Sequence, residues 1–354
     1  MRDLKKQNTL YNQYKHGGGY KKAAGLEGLD WEQVTDYSTS INWMAAKFYP
    51  ENLIYPHREN IQYPDPEYKD LQETIEEFHG YSPKYFLMTH GANEAISYLF
   101  HMFLLQSFKD VALAGSTYSE YNKCCDLNGF NSVKVSYDEL YSLRDKIIVI
   151  VNPNTPFGTY FDLKPRLENL LNHGNTVVLD ESFIDFTDKP SMYELVKDYP
   201  NLFIIHSLTK FYGSAGARLG LILSSNKLLQ EFMSVLLPPW TISAYDSWFY
   251  KNMIPKYREI QSATLAWIAE INKKTDNVLS KSSNIKSLGD SITCYRTLTL
   301  EKEVSDIRKF FLNEYKIYVR PTSDFFNCSN NSFRVGLRLP EENDPLWRAI
   351  EDIG

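Results

Sequence analysis

Cysteine is scarce: four residues in a chain of 354, at Cys124, Cys125, Cys294 and Cys328. They form no CxxC pair and no Cys/His cluster, which excludes a disulfide framework and a zinc site, and no metal is expected. Long apolar runs are missing too. The stretch from Tyr98 to Phe108 is broken by His101, Gln106 and Ser107, well short of a membrane span. Positive charge is not in excess, since Lys+Arg number 38 against 44 Asp+Glu, a net charge of −6. Neither nucleic acid nor an anionic membrane is therefore expected as a main partner, because both want a basic surface. The opening residues Met1–Gln7 are polar and carry no apolar signal segment, so a cytoplasmic protein is expected. No internal repeat or low-complexity segment is visible.

What is present reads as a folded α/β protein. Hydrophobic content of 43% with 23% charged residues is a globular balance, and the length suits a large core with two lobes. The densest chemistry lies in Ser207-Leu208-Thr209-Lys210-Phe211-Tyr212-Gly213-Ser214-Ala215-Gly216-Ala217-Arg218-Leu219-Gly220, behind an apolar strand at Leu202–Ile205. Hydroxyls, backbone N–H groups in a glycine turn and a guanidinium together suit a phosphate. A lysine amine can form a Schiff base with a carbonyl. A site for both a phosphate and an aldehyde points to pyridoxal phosphate. The alternative is a Ser/Thr/Gly loop carrying one solvated lysine.

The rest of the chain bears on that choice. Apolar runs at Tyr85–Thr89, Val111–Ala114, Ile147–Val151 and Thr176–Leu179 alternate with helical spacing, as in Ile96, Leu99, Phe100 and Phe103. A further helix is expected from Glu67 to Phe78, stopped by Gly80. Such alternation predicts a mostly parallel, doubly wound sheet, whose ligands bind beyond the carboxyl ends of the strands. The His90-Gly91-Ala92-Asn93 turn, the Asn152–Gly158 loop, Asp180 and Lys210 all fall at such ends. A long mixed helix is expected from Tyr245 to about Thr275, and β-like runs at Ile317–Arg320 and Ser332–Arg338 follow. These give three regions: an N-terminal arm with part of the small domain over 1–45, a large domain over 46–245 and a small α+β domain over 246–354.

Lys210 with its flanks, Asp180 thirty residues earlier and the Asn152 loop resemble the fold-type-I pyridoxal-phosphate enzymes over nearly the whole chain. Within them the pattern is similar to the threonine-phosphate decarboxylases, themselves related to the histidinol-phosphate aminotransferases. It rests on His16-Gly17-Gly18, Asp36-Tyr37-Ser38, Ile41-Asn42, Tyr63-Pro64-Asp65, Leu179–Phe186, Ser207–Tyr212 and Pro239-Trp240. The resemblance implies roles. Lys210 would be the Schiff-base lysine and a proton carrier. Asp180 would pair with the protonated ring nitrogen and keep it cationic, so that the ring acts as an electron sink. Tyr118 would stack on the ring. Backbone amides of Ala92 and Asn93, with Ser207, Thr209 and Arg218, would hold the cofactor phosphate. Tyr63 would reach that phosphate in a neighbouring subunit, which implies a homodimer. Arg334 would bind the substrate carboxylate or its equivalent, and Arg320, Arg338 and His16 are candidates for the substrate phosphate.

Two positions separate this chain from the aminotransferases of that group. They usually carry a tyrosine at Phe183 and an asparagine at Thr155, both hydrogen-bonding the phenolic oxygen of the ring. Phe183 matches the decarboxylase pattern, and Thr155 departs from both. The resemblance therefore favours decarboxylation of an O-phospho-L-amino acid: threonine phosphate, or, on the strength of Thr155, serine phosphate. An aminotransferase for a phosphorylated substrate such as histidinol phosphate is the second expectation. A non-catalytic pyridoxal-phosphate-binding regulator is the third, and the acidic balance speaks against a DNA-binding partner module.

Overall fold

The structure is a computed structural model that describes residues 16–50 and 54–354. The polar opening Met1–Gln7 lies outside the described residues. In chain order the first elements are α1 (Tyr20–Leu26), β1 (Thr35–Asp36), α2 (Lys69–His79), β2 (Phe86–Thr89), α3 (Ala92–Leu105), β3 (Asp110–Ala114), α4 (Ser119–Asn128), β4 (Asn131–Val135) and β5 (Ile147–Val151). Then come α5 (Lys164–Asn172), β6 (Thr176–Asp180), β7 (Leu202–Ser207), α6 (Leu208–Phe211), β8 (Gly220–Leu223), α7 (Lys227–Leu236), α8 (Ala244–Met253) and α9 (Tyr257–Leu279). The chain closes with β9 (Ile285–Leu288), β10 (Tyr295–Leu300), α10 (Ile307–Tyr315), β11 (Ile317–Tyr318), β12 (Arg320–Pro321), β13 (Ser332–Gly336) and α11 (Asp344–Ile353).

Seven strands form the main sheet in the order β2-β8-β7-β6-β5-β3-β4. All pairs are parallel except those of β8, which runs antiparallel to both β2 and β7. β5 shows why the central strands read as unbroken apolar runs. Its Ile148 and Ile150 join the core on one face, while Ile147, Val149 and Val151 join the core on the other. A second sheet, antiparallel and ordered β12-β13-β10-β9, is built from the C-terminal residues. It is stitched to the Asn152–Gly158 loop by Tyr295 Oη, donating to the Asn154 carbonyl at 2.8 Å, and Thr297 Oγ1, donating to the Pro156 carbonyl at 2.6 Å. The N-terminal segment joins that end of the molecule: β1 pairs in parallel with β11, and the Gly336 N–H donates to the Tyr37 carbonyl.

Three elements depart from the sequence expectation. The helix expected at Glu67 begins at Lys69, because Asp65 accepts the N–H groups of Glu67 and Lys69 and holds a turn there. The long helix from Tyr245 is two helices, α8 and α9, interrupted at Pro255, which has no N–H to continue the ladder. β4 was not anticipated: it is an edge strand whose first four residues are exposed and mostly polar, so it lacks an apolar signature.

Candidate active site

The strand ends converge on one cavity. It is lined by Ala92 and Asn93 at the start of α3, Tyr118, Thr155, Asp180 and Phe183, Ser207 and Lys210, Arg218 and Arg334. Ser40, Ile96, Val151 and Ser182 complete the wall.

Its anion end is made by backbone. Gly91 has φ of +81°, and a Cβ there would lie 2.5 Å from an Arg218 nitrogen. Only glycine lets the guanidinium lie against this turn. A Cβ on Gly220 would lie 2.6 Å from the Ala92 nitrogen, so glycine on β8 lets the N-terminus of α3 seat on the strand. The first turn of the fourteen-residue α3 presents free N–H groups and the positive end of its dipole.

The lysine end is held from outside the motif. Asn42, fully buried, donates its backbone N–H to the Lys210 carbonyl at 3.1 Å and its side-chain amide to the Phe211 carbonyl at 2.9 Å. Tyr49 Oη reaches the Tyr212 and Gly213 carbonyls, and Tyr250 Oη donates to the Ala217 carbonyl. Asp246 accepts the Arg218 N–H at 2.9 Å, while Ser243 and Asp246 bond each other at the start of α8. Asn42 lay inside a quoted motif; Tyr49, Tyr250 and Asp246 had no signal beyond their residue types. Burial, with the Arg334 and Arg218 guanidiniums nearby, pushes the Lys210 amine down to about 8. A neutral amine, the nucleophilic form, is thus accessible near neutral pH.

Asp180 ends β6 and is buried. Its Oδ2 accepts the Tyr121 hydroxyl at 2.8 Å and its Oδ1 the Ser182 N–H at 2.9 Å. Burial raises its pKa against the hydrogen bonds from Ser182 and Tyr121. Arg334, on β13, is half-buried and has no carboxylate partner among the described residues. Its Nη1 donates to Thr155 Oγ1 at 2.9 Å, its Nε is buried without a partner, and burial lowers its pKa to about 10. Phe183 packs edge-on against Tyr295 and offers no hydrogen-bonding group to the cavity.

The other expected residues lie elsewhere. Thr209 is buried in α6 and does not line the cavity. His16 sits beside Tyr118, ring centroids 5.9 Å apart, and its Nε2 meets Glu120 Oε1 at 2.8 Å. Arg320, opposite Arg334 in the β12–β13 register, forms a two-pronged ion pair with Asp324 at 2.6 and 2.8 Å. Arg338 pairs with Glu342 at 2.9 Å and lies over the Trp43 ring, in a different cleft. Tyr63 is exposed and stacked on Trp240 at 4.0 Å. Tyr121 and Glu120 belong to the site's immediate surroundings and were not anticipated, because nothing in a helical Ser-Glu-Tyr run tells which side chain faces a strand end.

Residues 33–350 match the family described as aminotransferase class I and II. The chain belongs to that family. Among curated relatives, the histidinol-phosphate aminotransferase of Christiangramia forsetii is 28% identical over 82% of this chain and 85% of that one. The threonine-phosphate decarboxylase of Salmonella typhimurium is 23% identical over 96% of each. Among solved structures, the histidinol-phosphate aminotransferase of Sinorhizobium meliloti in complex with pyridoxal 5′-phosphate superposes with a TM-score of 0.78, at 18% identity, covering 97% of this chain and 96% of that one. The family is pyridoxal-phosphate-dependent, and the cavity fits that cofactor: a glycine cradle beside a guanidinium and a helix N-terminus for the phosphate, an amine of lowered pKa for the aldehyde, and a buried carboxylate for the ring nitrogen. Among the described residues no helix is long and apolar enough to cross a membrane.

Proposed function

We propose that this family member removes the carboxylate of an O-phospho-L-amino acid, with serine phosphate giving ethanolamine phosphate as the favoured reaction and threonine phosphate giving 1-amino-2-propanol phosphate as its neighbour. The observation that carries the reading is the cavity wall, where Phe183 stands without a hydroxyl and Thr155 Oγ1 already accepts from Arg334. That wall departs from the tyrosine and asparagine usual in aminotransferases of this type, and Phe183 matches the decarboxylase pattern. Charge supports it. Lys210, Arg218 and Arg334 face a single buried carboxylate, Asp180, so the cavity favours a multiply anionic occupant.

When bound, the cofactor supplies an electron sink for a bond broken at the substrate Cα. Arg334, half-buried and with a spare buried Nε, would bind an anionic group of the substrate and so orient the bonds at Cα. Lys210 Nζ holds the proton that Cα takes up after carbon dioxide leaves. Phe183 and Ile96 keep water from the reacting carbon.

A second reading has its own support. Several relatives at 28–29% identity are named histidinol-phosphate aminotransferases, and transamination of a phosphorylated substrate needs the same anion receptors. Incubating the holoenzyme with serine phosphate, threonine phosphate or histidinol phosphate separates the two. Carbon dioxide and an amine phosphate in equal amounts are expected from serine phosphate. Keto-acid-dependent transamination without carbon dioxide would overturn the decarboxylase reading.

The working unit we propose is a homodimer. Its support is the exposed Tyr63, which stacks on Trp240, does not line its own cavity and stands at the position that the resemblance gives to a shared site. Mixing inactive Lys210→Ala and Tyr63→Ala subunits tests this: hybrid dimers carry one intact site and regain part of the activity.

A further inference from the structure

One buried hydrogen bond, from Tyr121 at the start of α4, reaches the carboxylate of the cavity. Tyr121 has no exposed surface, lies in the first turn of α4 and packs against Phe100. Its hydroxyl ends on Asp180 Oδ2 at 2.8 Å. Tyr118, the N-cap residue just before α4, lines the cavity that Asp180 also lines. The start of α4, with its N-cap residue, therefore supplies both a ring beside the cofactor space and a donor to the carboxylate at its end.

The carboxylate's other support comes from one residue, Ser182, through its N–H on Oδ1 and through its side chain. The charged and titratable groups around it are Lys210, His206, Tyr118 and Tyr121. His206 is itself taken by Asp185 at 2.6 Å. In so dry a setting a carboxylate that loses a donor becomes the better base, since burial already disfavours its charged form.

We propose that Tyr121 is a positioning residue that keeps the proton shared by Asp180 and the cofactor's ring nitrogen on the nitrogen. A single proton lies between two bases, the ring nitrogen and Asp180. On the nitrogen it leaves a ring cation beside a carboxylate; on Asp180 it leaves a neutral ring and a carboxylic acid. The Tyr121 hydroxyl stabilises the first arrangement more than the second, because its proton points at Oδ2 and a protonated carboxyl is the weaker acceptor. The cationic ring is the stronger electron sink, so the hydroxyl sustains the cofactor's chemistry without touching the cofactor or the substrate.

The test is a graded series on the holoenzyme loaded with pyridoxal phosphate carrying nitrogen-15 in the ring, read by NMR at one neutral pH. In Tyr121→Phe the nitrogen signal is expected to move toward that of an unprotonated pyridine, with turnover reduced about tenfold at unchanged KM. A melting temperature within a few degrees of wild type shows the fold intact. 4-Aminophenylalanine at position 121 fills the same space with a weaker donor, so it keeps the test open if the phenylalanine variant does not fold; its signal should fall between the other two. A nitrogen signal unmoved in either folded variant overturns the proposal. The result does not depend on which phosphorylated substrate is used.

Discussion

Arg334 and Thr155 meet across the cavity, the guanidinium on β13 of the small sheet donating to the hydroxyl of the loop that follows β5, at 2.9 Å. The contact joins the two sheets at the site itself. It also uses the threonine as an acceptor, so that Arg334 is held while its Nε remains unspent. Thr155→Val removes that acceptor without changing the side chain's shape. The guanidinium then loses its fixed position, and KM for the phosphorylated amino acid should rise about tenfold with a smaller change in kcat. Steady-state kinetics on both proteins decide it, and an unchanged KM would show that Thr155 does not orient Arg334.

The amine of Lys210 is held down to about 8 by burial and by Arg334 and Arg218. In the cofactor-free protein its rate of reaction with added pyridoxal phosphate should climb with pH up to about 8 and level off above it, because only the neutral amine attacks. Arg334→Met removes one of the repelling charges. The amine then holds its proton more tightly and the midpoint moves to higher pH. Stopped-flow absorbance across pH 6 to 10 follows it; a midpoint displaced downward would contradict the assigned cause.

How much of this was visible in the sequence depends on the kind of signal. β5 and β6 were legible because strands buried on both faces must be apolar throughout. Gly91, Asp180 and Lys210 were legible because they stand at strand ends in recognisable company. Arg320 and Arg338 were not, since their pairing with Asp324 and Glu342 depends on where short turns place the acids. Tyr121 and Asn42 were missed as site-holders for a related reason: a buried donor and its acceptor 59 or 169 residues away leave no mark on either local pattern.

Glu181, next to Asp180, faces the other side of the sheet. Its oxygens accept from Ser191 and from the Met192 N–H, near His206 and Asp185, and burial pushes it up to about 7. Between the ordinary carboxylate range and about 7 the native state keeps a proton that the unfolded state has released. Stability must therefore fall as pH rises through that window, by up to about 1.4 kcal/mol per pH unit from this group. Glu181→Gln keeps the shape and abolishes the titration. Its denaturation free energy should be flatter than wild type between pH 5 and 7, and chemical denaturation at three pH values measures the slopes. Equal slopes would assign the pH dependence elsewhere.

Glu120 anchors the start of the described chain to the site. It is buried, binds Lys123 at 3.0 and 3.2 Å, and meets His16 Nε2 at 2.8 Å, while Gly18 N–H is fixed by Ser38 Oγ at 2.7 Å. Its burial works against the charge, and the bonds from His16 and Lys123 outweigh that and lower its pKa. The carboxylate thus contributes stability above the ordinary carboxylate range, which is lost as pH falls through its lowered value. Glu120→Gln loosens His16 from its place beside Tyr118. If His16 serves the substrate phosphate, the variant raises KM about tenfold for the phosphorylated amino acid and leaves binding of the unphosphorylated one unchanged. His16→Ala should show the same selectivity, and the double variant no further loss, since both changes remove one coupled unit. Additive losses in that cycle would mean that the two residues act on the site separately.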